Sequence, residues 1–221
     1  MSGKQFSPQD QTDMIWVCRR LATALQGEER IASALDHLAA SAPKGPWRIL
    51  SAMRDSLHLG KTAADGLLGI GMPSFVFGTM KAGEVGAAVG EAASRLADRL
   101  ELEQNAEKPR NQGLLAYSLA FGRLGLMLAL RVPALTAVET AAGSVAGSKA
   151  ESVLMQAREE VRQGADLSEA LARVGAELPE MTVEMIRDGE QDGRLADALS
   201  VVADYLLDEA GAARTASKKE V

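Results

Sequence analysis

Apolar residues recur every three or four positions along most of the chain, which is the spacing of one face of an α-helix. One stripe near the N-terminus consists of Met14, Val17, Leu21 and Leu25. A second stripe near the C-terminus consists of Leu195, Leu199, Val202 and Leu206. No alternation of apolar and polar residues is long enough to indicate a β-strand, and β-branched residues are sparse. The pattern therefore predicts an all-α protein.

The spacing predicts twelve helices, six in each half of the chain. They span residues 10–26, 28–42, 45–59, 62–70, 73–82, 86–106, 113–130, 133–147, 148–163, 166–175, 179–188 and 192–213. Proline at the predicted start of a helix and glycine at its predicted end support this division.

The two halves repeat each other. At an offset of 103 residues, Leu21 and Leu25 align with Leu124 and Leu128, and at an offset of 106 Gly83 and Glu84 align with Gly189 and Glu190. Each copy of about 100 residues has the size of one domain. We therefore predict two tandem six-helix bundles, at residues 1–107 and 112–214, followed by a polar tail at 215–221. The join is expected near 107–112, where Pro109 interrupts the apolar pattern.

Composition agrees with closely packed helices, because only 4% of residues are aromatic while 38 of 221 are alanine. The single cysteine, Cys18, excludes a disulfide within the chain and a metal site built on cysteines. Residues 1–13 are polar and lack the features of a secretory signal. A cytoplasmic location is therefore expected.

The charge is distributed unevenly. Residues 1–110 carry 13 basic and 13 acidic side chains, whereas residues 111–221 carry 11 basic and 17 acidic ones, which accounts for the whole net charge of −6. No cluster of lysine and arginine stands out, which argues against binding to nucleic acid through its phosphates. An acidic half favours a partner with a basic surface.

The acidic excess is concentrated in one stripe of the second copy. Glu177, Glu180, Glu184 and Asp188 are spaced by 3, 4 and 4 residues, which places them on one face of a helix. The aligned helix of the first copy has Ser74 and Gly78 at the positions of Glu180 and Glu184, and lacks the stripe. Three interpretations remain open: a solvated face, a docking surface for a basic partner, and a site for a divalent cation.

The aligned helix of the first copy is apolar on several sides, through Met72, Phe75, Val76, Phe77 and Met80. An apolar helix of this kind is usually buried. We therefore predict that it lies between the two copies or in a homodimer interface, with Phe75, Phe77 and Met80 as the interface residues.

A Gly-Glu pair occurs in both copies, as Gly83-Glu84 and Gly189-Glu190. We predict that the glycine ends one helix in a left-handed conformation and that the glutamate accepts backbone N–H groups at the start of the next helix. A contact to a partner is the alternative. Asp166, with Glu169 three residues later, is predicted to cap the start of a helix.

The segment from 164 to 195 resembles the signature of the type II secretion system F domain. Residues 164–171 are GADLSEAL, residues 178–179 are LP, and residues 189–195 are GEQDGRL, so that Gly189, Glu190, Gly193 and Leu195 stand at motif positions. The first copy keeps Gly83 and Glu84 but has a displaced second glycine. The family includes inner-membrane platform proteins of type II secretion, type IV pili and tight-adherence pili, whose cytoplasmic domains are tandem six-helix bundles.

This resemblance implies a non-enzymatic scaffold or adaptor, without a cofactor, that docks a secretion or pilus assembly ATPase or another machinery component. It implies a cytoplasmic protein that is recruited to the inner membrane through its partners. The best membrane candidate, 114–130, contains Arg123 near its middle and is predicted to be a core helix, because a charge there opposes insertion. No transmembrane segment of the kind that platform proteins carry is therefore expected.

Two other functions remain as alternatives. One is a homo-oligomeric structural protein, and the other is a carboxylate-based metal-binding or ligand-binding helical protein. Neither His37 nor His58 has a glutamate three residues before it, as the Glu-x-x-His motif of a di-metal bundle requires. No nucleophile or carboxylate arrangement accompanies them, so no catalytic site is predicted.

Overall fold

The computed structural model describes residues 6–26, 30–105 and 112–216. Within these ranges the chain forms twelve α-helices and no β-strand, as the apolar spacing predicts. The helices are α1 (Pro8–Gln26), α2 (Ile31–Ser41), α3 (Lys44–His58), α4 (Ala63–Gly69), α5 (Ser74–Val85), α6 (Val89–Asn105), α7 (Gln112–Ala129), α8 (Ala134–Gly143), α9 (Lys149–Arg162), α10 (Leu167–Val174), α11 (Glu180–Gln191) and α12 (Leu195–Ala216).

The chain divides into two compact units, Met1–Asn105 and Ala106–Val221. In the first unit each of the helices α1 to α5 packs against the next one along the chain, and α6 returns to pack against α1. Helices α7 to α12 of the second unit pack in the same order, and α12 returns to α7. The repeat in the sequence is therefore a repeat of one six-helix packing arrangement.

The apolar stripes that predict the helices form the core of each unit. Met14, Val17 and Leu21 of α1 are fully buried in the first unit. Leu199, Val202 and Leu206 of α12 are fully buried in the second unit, against the apolar face of α7. Burial of such side chains stabilises each bundle by about 1.5–3 kcal/mol per residue.

Helix α7 is the one described helix that is long and apolar enough to cross a membrane. In this structure it lies in the core of the second unit, where most of its residues are buried. Its charged residue, Arg123, is 7% exposed and donates from Nη1 to the carbonyl oxygen of Ser144 at 3.1 Å. Ser144 is the C-cap of α8, so the guanidinium lies at the negative end of that helix.

The interface predicted on α5 is wrong for two of its three residues. Phe75 and Met80 are each 1% exposed and lie in the core of the first unit. The ring of Phe75 packs edge to face against the ring of Phe6, with 6.3 Å between their centroids. Because the unit needs these side chains for its own core, they are not free to face a partner. Phe77, by contrast, is half-exposed.

The predicted polar tail and the predicted join between the copies lie mostly outside the described residues. Helix α12 continues to Ala216, two residues into the segment predicted as a polar tail. The rest of that tail, 217–221, lies outside the described residues. So does the predicted join between the copies, except for Gln112, which begins α7.

Candidate functional site

The Gly-Glu pair of each unit lies inside the last turn of a helix. Helices α5 and α11 extend to Val85 and Gln191, three residues farther than predicted. Neither Gly83 nor Gly189 has a positive φ, so the expectation that they end a helix in the left-handed conformation is wrong. A Cβ atom on Gly189 would meet the next helix, α12, which explains the glycine by close helix packing instead.

The glutamate that follows each glycine caps a different helix. In the second unit the N–H groups of Leu167 and Ser168, the first two residues of α10, donate to the two carboxylate oxygens of Glu190 at 2.7 and 3.0 Å. A carboxylate is favourable there because these N–H groups have no partner inside the helix and the helix dipole is positive at this end. Glu190 thus binds the helix before its own, not the next one as predicted.

The first unit repeats this contact. The N–H groups of Ala63 and Ala64, the first two residues of α4, donate to Glu84 at 2.7 and 3.2 Å. The glutamate of the pair therefore makes the same contact within its unit in both copies. The predicted cap at Asp166 is wrong, because its side chain accepts no bond from the start of α10 and Glu190 takes the first two N–H groups.

The second glycine of the motif ends α11. Gly193 has a φ of +67°, and its N–H donates to the carbonyl of Glu190 at 3.2 Å. The N–H of Arg194 donates to the carbonyl of Gly189 at 2.7 Å. These two bonds form a Schellman C-cap, and Leu195 begins α12 immediately afterwards.

Three residues of the predicted acidic stripe lie together on α11. Glu180, Glu184 and Asp188 are exposed, and no hydrogen bond or ion pair joins their side chains to other described residues. Met181, beside them on the same helix, is 56% exposed. The outer surface of α11 therefore carries three carboxylates, the guanidinium of Arg187 and an exposed methionine.

The fourth residue of the stripe, Glu177, is not part of this face. Helix α11 begins only at Glu180, after Pro179, so Glu177 belongs to the preceding loop. Its carboxylate forms an ion pair with Lys149 and accepts a hydrogen bond from the hydroxyl of Tyr117 at 2.6 Å. The prediction that all four carboxylates share a helical face is wrong at this position.

The environment shifts the pKa values of this contact in opposite directions. The bonds from Lys149 and Tyr117 hold the pKa of Glu177 below its ordinary value. Burial, and then the hydrogen bond to Glu177, raise the pKa of the Tyr117 hydroxyl. Both shifts favour a neutral tyrosine that donates to an ionised glutamate, which ties α7 to the loop before α11.

The contact between α10 and α11 in the second unit differs from the equivalent contact between α4 and α5 in the first unit. In the first unit the ammonium of Lys81 bonds to Thr62 Oγ1 at 2.6 Å and to Asp65 at 3.2 Å. The second unit has Arg187 at the position of Lys81, and here a cavity of about 160 Å³ lies between Arg187 and Glu190. A larger cavity of about 280 Å³ follows along α11 and is also lined by Arg187.

The carboxylates of α11 do not form a metal site in this arrangement. Among the residues that the structure describes, no group of three or more His, Cys, Asp or Glu side chains could hold a metal ion. The cation interpretation therefore finds no set of ligands in that part of the chain. What α11 presents is an exposed surface with three carboxylates and one guanidinium, and this net negative charge suits contact with a basic macromolecular surface.

Comparison with known families gives one match. The family model described as type II secretion system (T2SS), protein F, matches residues 17–122 and again residues 120–219. The two matches follow each other along the chain, as the two structural units do. A comparison with curated proteins gives no match.

Proposed function

Because the chain belongs to the type II secretion system protein F family, we propose that it is a scaffold that docks an assembly ATPase of a secretion or pilus machine. Members of this family are platform-type structural proteins rather than enzymes. The two successive matches span 17–219, so both units are copies of the family's helical domain. Two helical domains in one chain suit a protein that acts as a scaffold.

The exposed carboxylate face of α11 is the observation that carries the docking proposal. Glu180, Glu184 and Asp188 repeat at intervals of four residues, and like charges at this spacing destabilise a helix by a few tenths of a kcal/mol per pair. Several other carboxylates of the second unit have a cationic partner within it, such as Glu139 with Arg158. A partner with lysine or arginine on its surface would supply the missing counter-charge on α11.

The first unit does not offer the same surface. Ser74, Gly78 and Ala82 of α5 occupy the positions of the three carboxylates. The two units therefore differ in charge at equivalent positions. We assign docking of the ATPase, or of another basic component, to the second unit. Contact with such a partner would recruit the chain from the cytoplasm to the inner membrane, where proteins of this family usually act.

A homo-oligomeric scaffold is the second candidate, and one observation on α5 favours it. Phe77 is half-exposed, and Val85 at the end of the same helix is 82% exposed. Apolar side chains on the exposed face of a helix are a feature of surfaces that self-associate. Equilibrium sedimentation of the parent chain and of Phe77→Ala tests this candidate, because a dimer that uses this face would dissociate in the variant.

A direct binding experiment tests the docking proposal. The purified assembly ATPase from the same organism is titrated onto the full chain and onto Glu180→Lys/Glu184→Lys. We expect the variant to bind at least about tenfold more weakly, since each lost contact is replaced by like-charge repulsion. Binding of the parent should also weaken as salt is raised.

The matched control is Asp208→Lys/Glu209→Lys, which changes the net charge equally through exposed carboxylates of α12. This control should bind the ATPase as the parent does. Equal binding by the parent and the α11 variant would exclude the acidic face as the docking surface. Absence of binding by the parent would exclude the ATPase as its partner.

A further inference from the structure

Helices α4 and α10 are the two shortest described helices, with seven and eight residues. Helices of this length are not stable on their own, because nucleation fixes several residues for one hydrogen bond. Their first N–H groups also lack partners within the helix. Both helices therefore depend on contacts with the rest of their unit.

We propose that Glu84 and Glu190 act as clasps. Each carboxylate holds the N-terminus of a short helix, α4 or α10, and thereby limits local unfolding of that helix. In this proposal each short helix opens more often when the glutamate of α5 or α11 does not bind its N-terminus. The clasp thus couples the folding of α4 or α10 to the packing of the next helix, α5 or α11. The proposal concerns the fold itself and does not depend on the identity of a partner.

The position of the glutamate supports a clasp. Glu84 and Glu190 lie in the last turn of α5 and α11, where the negative end of the helix disfavours a carboxylate. Both units nevertheless have glutamate there, and in both its two oxygens bind two successive N–H groups of the shorter helix. The charge is unfavourable for its own helix and favourable for its neighbour.

The two glycines on either side of Glu190 fix the position from which its carboxylate binds α10. Gly189 allows α11 to lie directly against α12, and Gly193 ends α11 within four residues. These two constraints fix the last turn of α11, from which Glu190 reaches α10. In the Gly-Glu-x-x-Gly motif the first glycine therefore permits close packing, the glutamate binds α10, and the second glycine ends α11.

The two units differ in what else holds the short helix. Helix α4 has a capping box, in which Thr62 Oγ1 accepts from the N–H of Asp65 and the Asp65 carboxylate accepts from the N–H of Thr62. The ammonium of Lys81 binds both of these side chains. At α10 the N-cap residue Asp166 makes no such bond. Loss of Glu190 should therefore open α10 more than loss of Glu84 opens α4.

Hydrogen exchange of the full chain tests this inference, with Glu190→Gln and Glu84→Gln compared against the parent. In Glu190→Gln we expect segment 165–174 to exchange about tenfold faster, the change produced by losing a charge-assisted hydrogen bond of ordinary strength. In Glu84→Gln the acceleration of segment 62–69 should be clearly smaller. The control Glu184→Gln, on the exposed face of α11, should leave both segments unchanged.

A second variant covers the case in which Glu190→Gln does not fold. Glu190→Asp keeps the charge but shortens the side chain by one methylene, so it should not reach both N–H groups and should also accelerate 165–174. Unchanged exchange in this segment in a folded variant would overturn the inference. Equal acceleration of α7, α10 and α12 would also overturn it, because α10 would then open only with the whole unit.

Discussion

Ala87 adopts the left-handed backbone conformation that Gly193 adopts at the equivalent position of the second unit, with φ values of +53° and +67°. In both units the next residue closes a Schellman cap, through Ala88 to Gly83 and through Arg194 to Gly189, each at 2.7 Å. The glycine adopts this conformation without strain, whereas the Cβ atom of alanine approaches a backbone carbonyl. The first unit thus keeps the turn of the motif without its glycine.

Exchanging these two residues should have opposite effects on stability. We expect Ala87→Gly to stabilise the first unit by about 0.5–1 kcal/mol, because relief of strain outweighs the added freedom of the unfolded chain. Gly193→Ala should destabilise the second unit by about 1 kcal/mol, although nothing lies within 4 Å of the added Cβ atom. Urea denaturation measures both free energies of unfolding. Changes of the same sign would contradict this explanation.

Close packing against the last helix of each unit gives a second prediction. A Cβ atom on Gly189 would lie 2.3 Å from the Cβ of Ala198, and one on Gly83 would lie 2.5 Å from the Cβ of Ala92. Since two helices would have to move apart, Gly189→Ala and Gly83→Ala should each destabilise their unit by about 1–3 kcal/mol. Thermal unfolding followed by circular dichroism detects such a loss.

Gly143→Ala is the control for these two variants. Gly143 ends α8, has no positive φ, and has nothing within 4 Å of the position of a Cβ atom. Alanine has the higher helix propensity, so this variant should lose no stability. If it lost as much as Gly189→Ala does, close packing would not be the cause.

The crossing between the first and last helices of each unit gives a third prediction. A Cβ atom on Gly125 of α7 would lie 2.8 Å from the backbone oxygen of Ala196, and we expect Gly125→Ala to cost about 1–3 kcal/mol. In the first unit the glycine is on the last helix instead, as Gly90, where a Cβ atom would lie 3.3 Å from the Cβ of Leu25. Gly90→Ala should therefore change stability by less than about 0.5 kcal/mol.

Urea denaturation of both variants checks this pair. The two substitutions differ in which helix carries the glycine, in the atom that a new Cβ would meet and in the distance to that atom. Similar losses in the two units would show that the distance to the backbone oxygen is not what limits the crossing.

The repeat and the helices could be predicted from sequence because both depend on local spacing. The end of α11 could not be predicted, since the helix continues through Gly189 to Gln191 and the left-handed turn follows at Gly193. The sequence shows that Glu84 and Glu190 align but not which N–H groups they bind, because those belong to other helices. Contacts between residues 20 or more positions apart depend on how the helices pack, and local spacing does not predict them.

The sequence does contain a signal that Glu177 lies outside α11. Its spacing from Glu180 fits a helix, but Pro179 lies between them and disfavours helical backbone at Leu178. Helix α11 accordingly begins at Glu180. Local spacing does not predict the bond to Tyr117, which lies 60 residues away in the sequence. The repeat does not predict it either, because Met14 occupies the equivalent position of the first copy.

The contact between Tyr117 and Glu177 gives the last prediction. Tyr117→Phe removes a 2.6 Å bond from a buried ring and should destabilise the second unit by about 1–2 kcal/mol at neutral pH. Glu177 has its pKa lowered from an ordinary value of 4.5, chiefly by Lys149 and then by Tyr117. A lowered pKa in the folded state stabilises the protein above pH 4.5, and this contribution is lost as the pH falls below that value. The difference between parent and variant in urea denaturation should therefore shrink on acidification, and a difference that stayed constant would mean that the charge of Glu177 does not contribute.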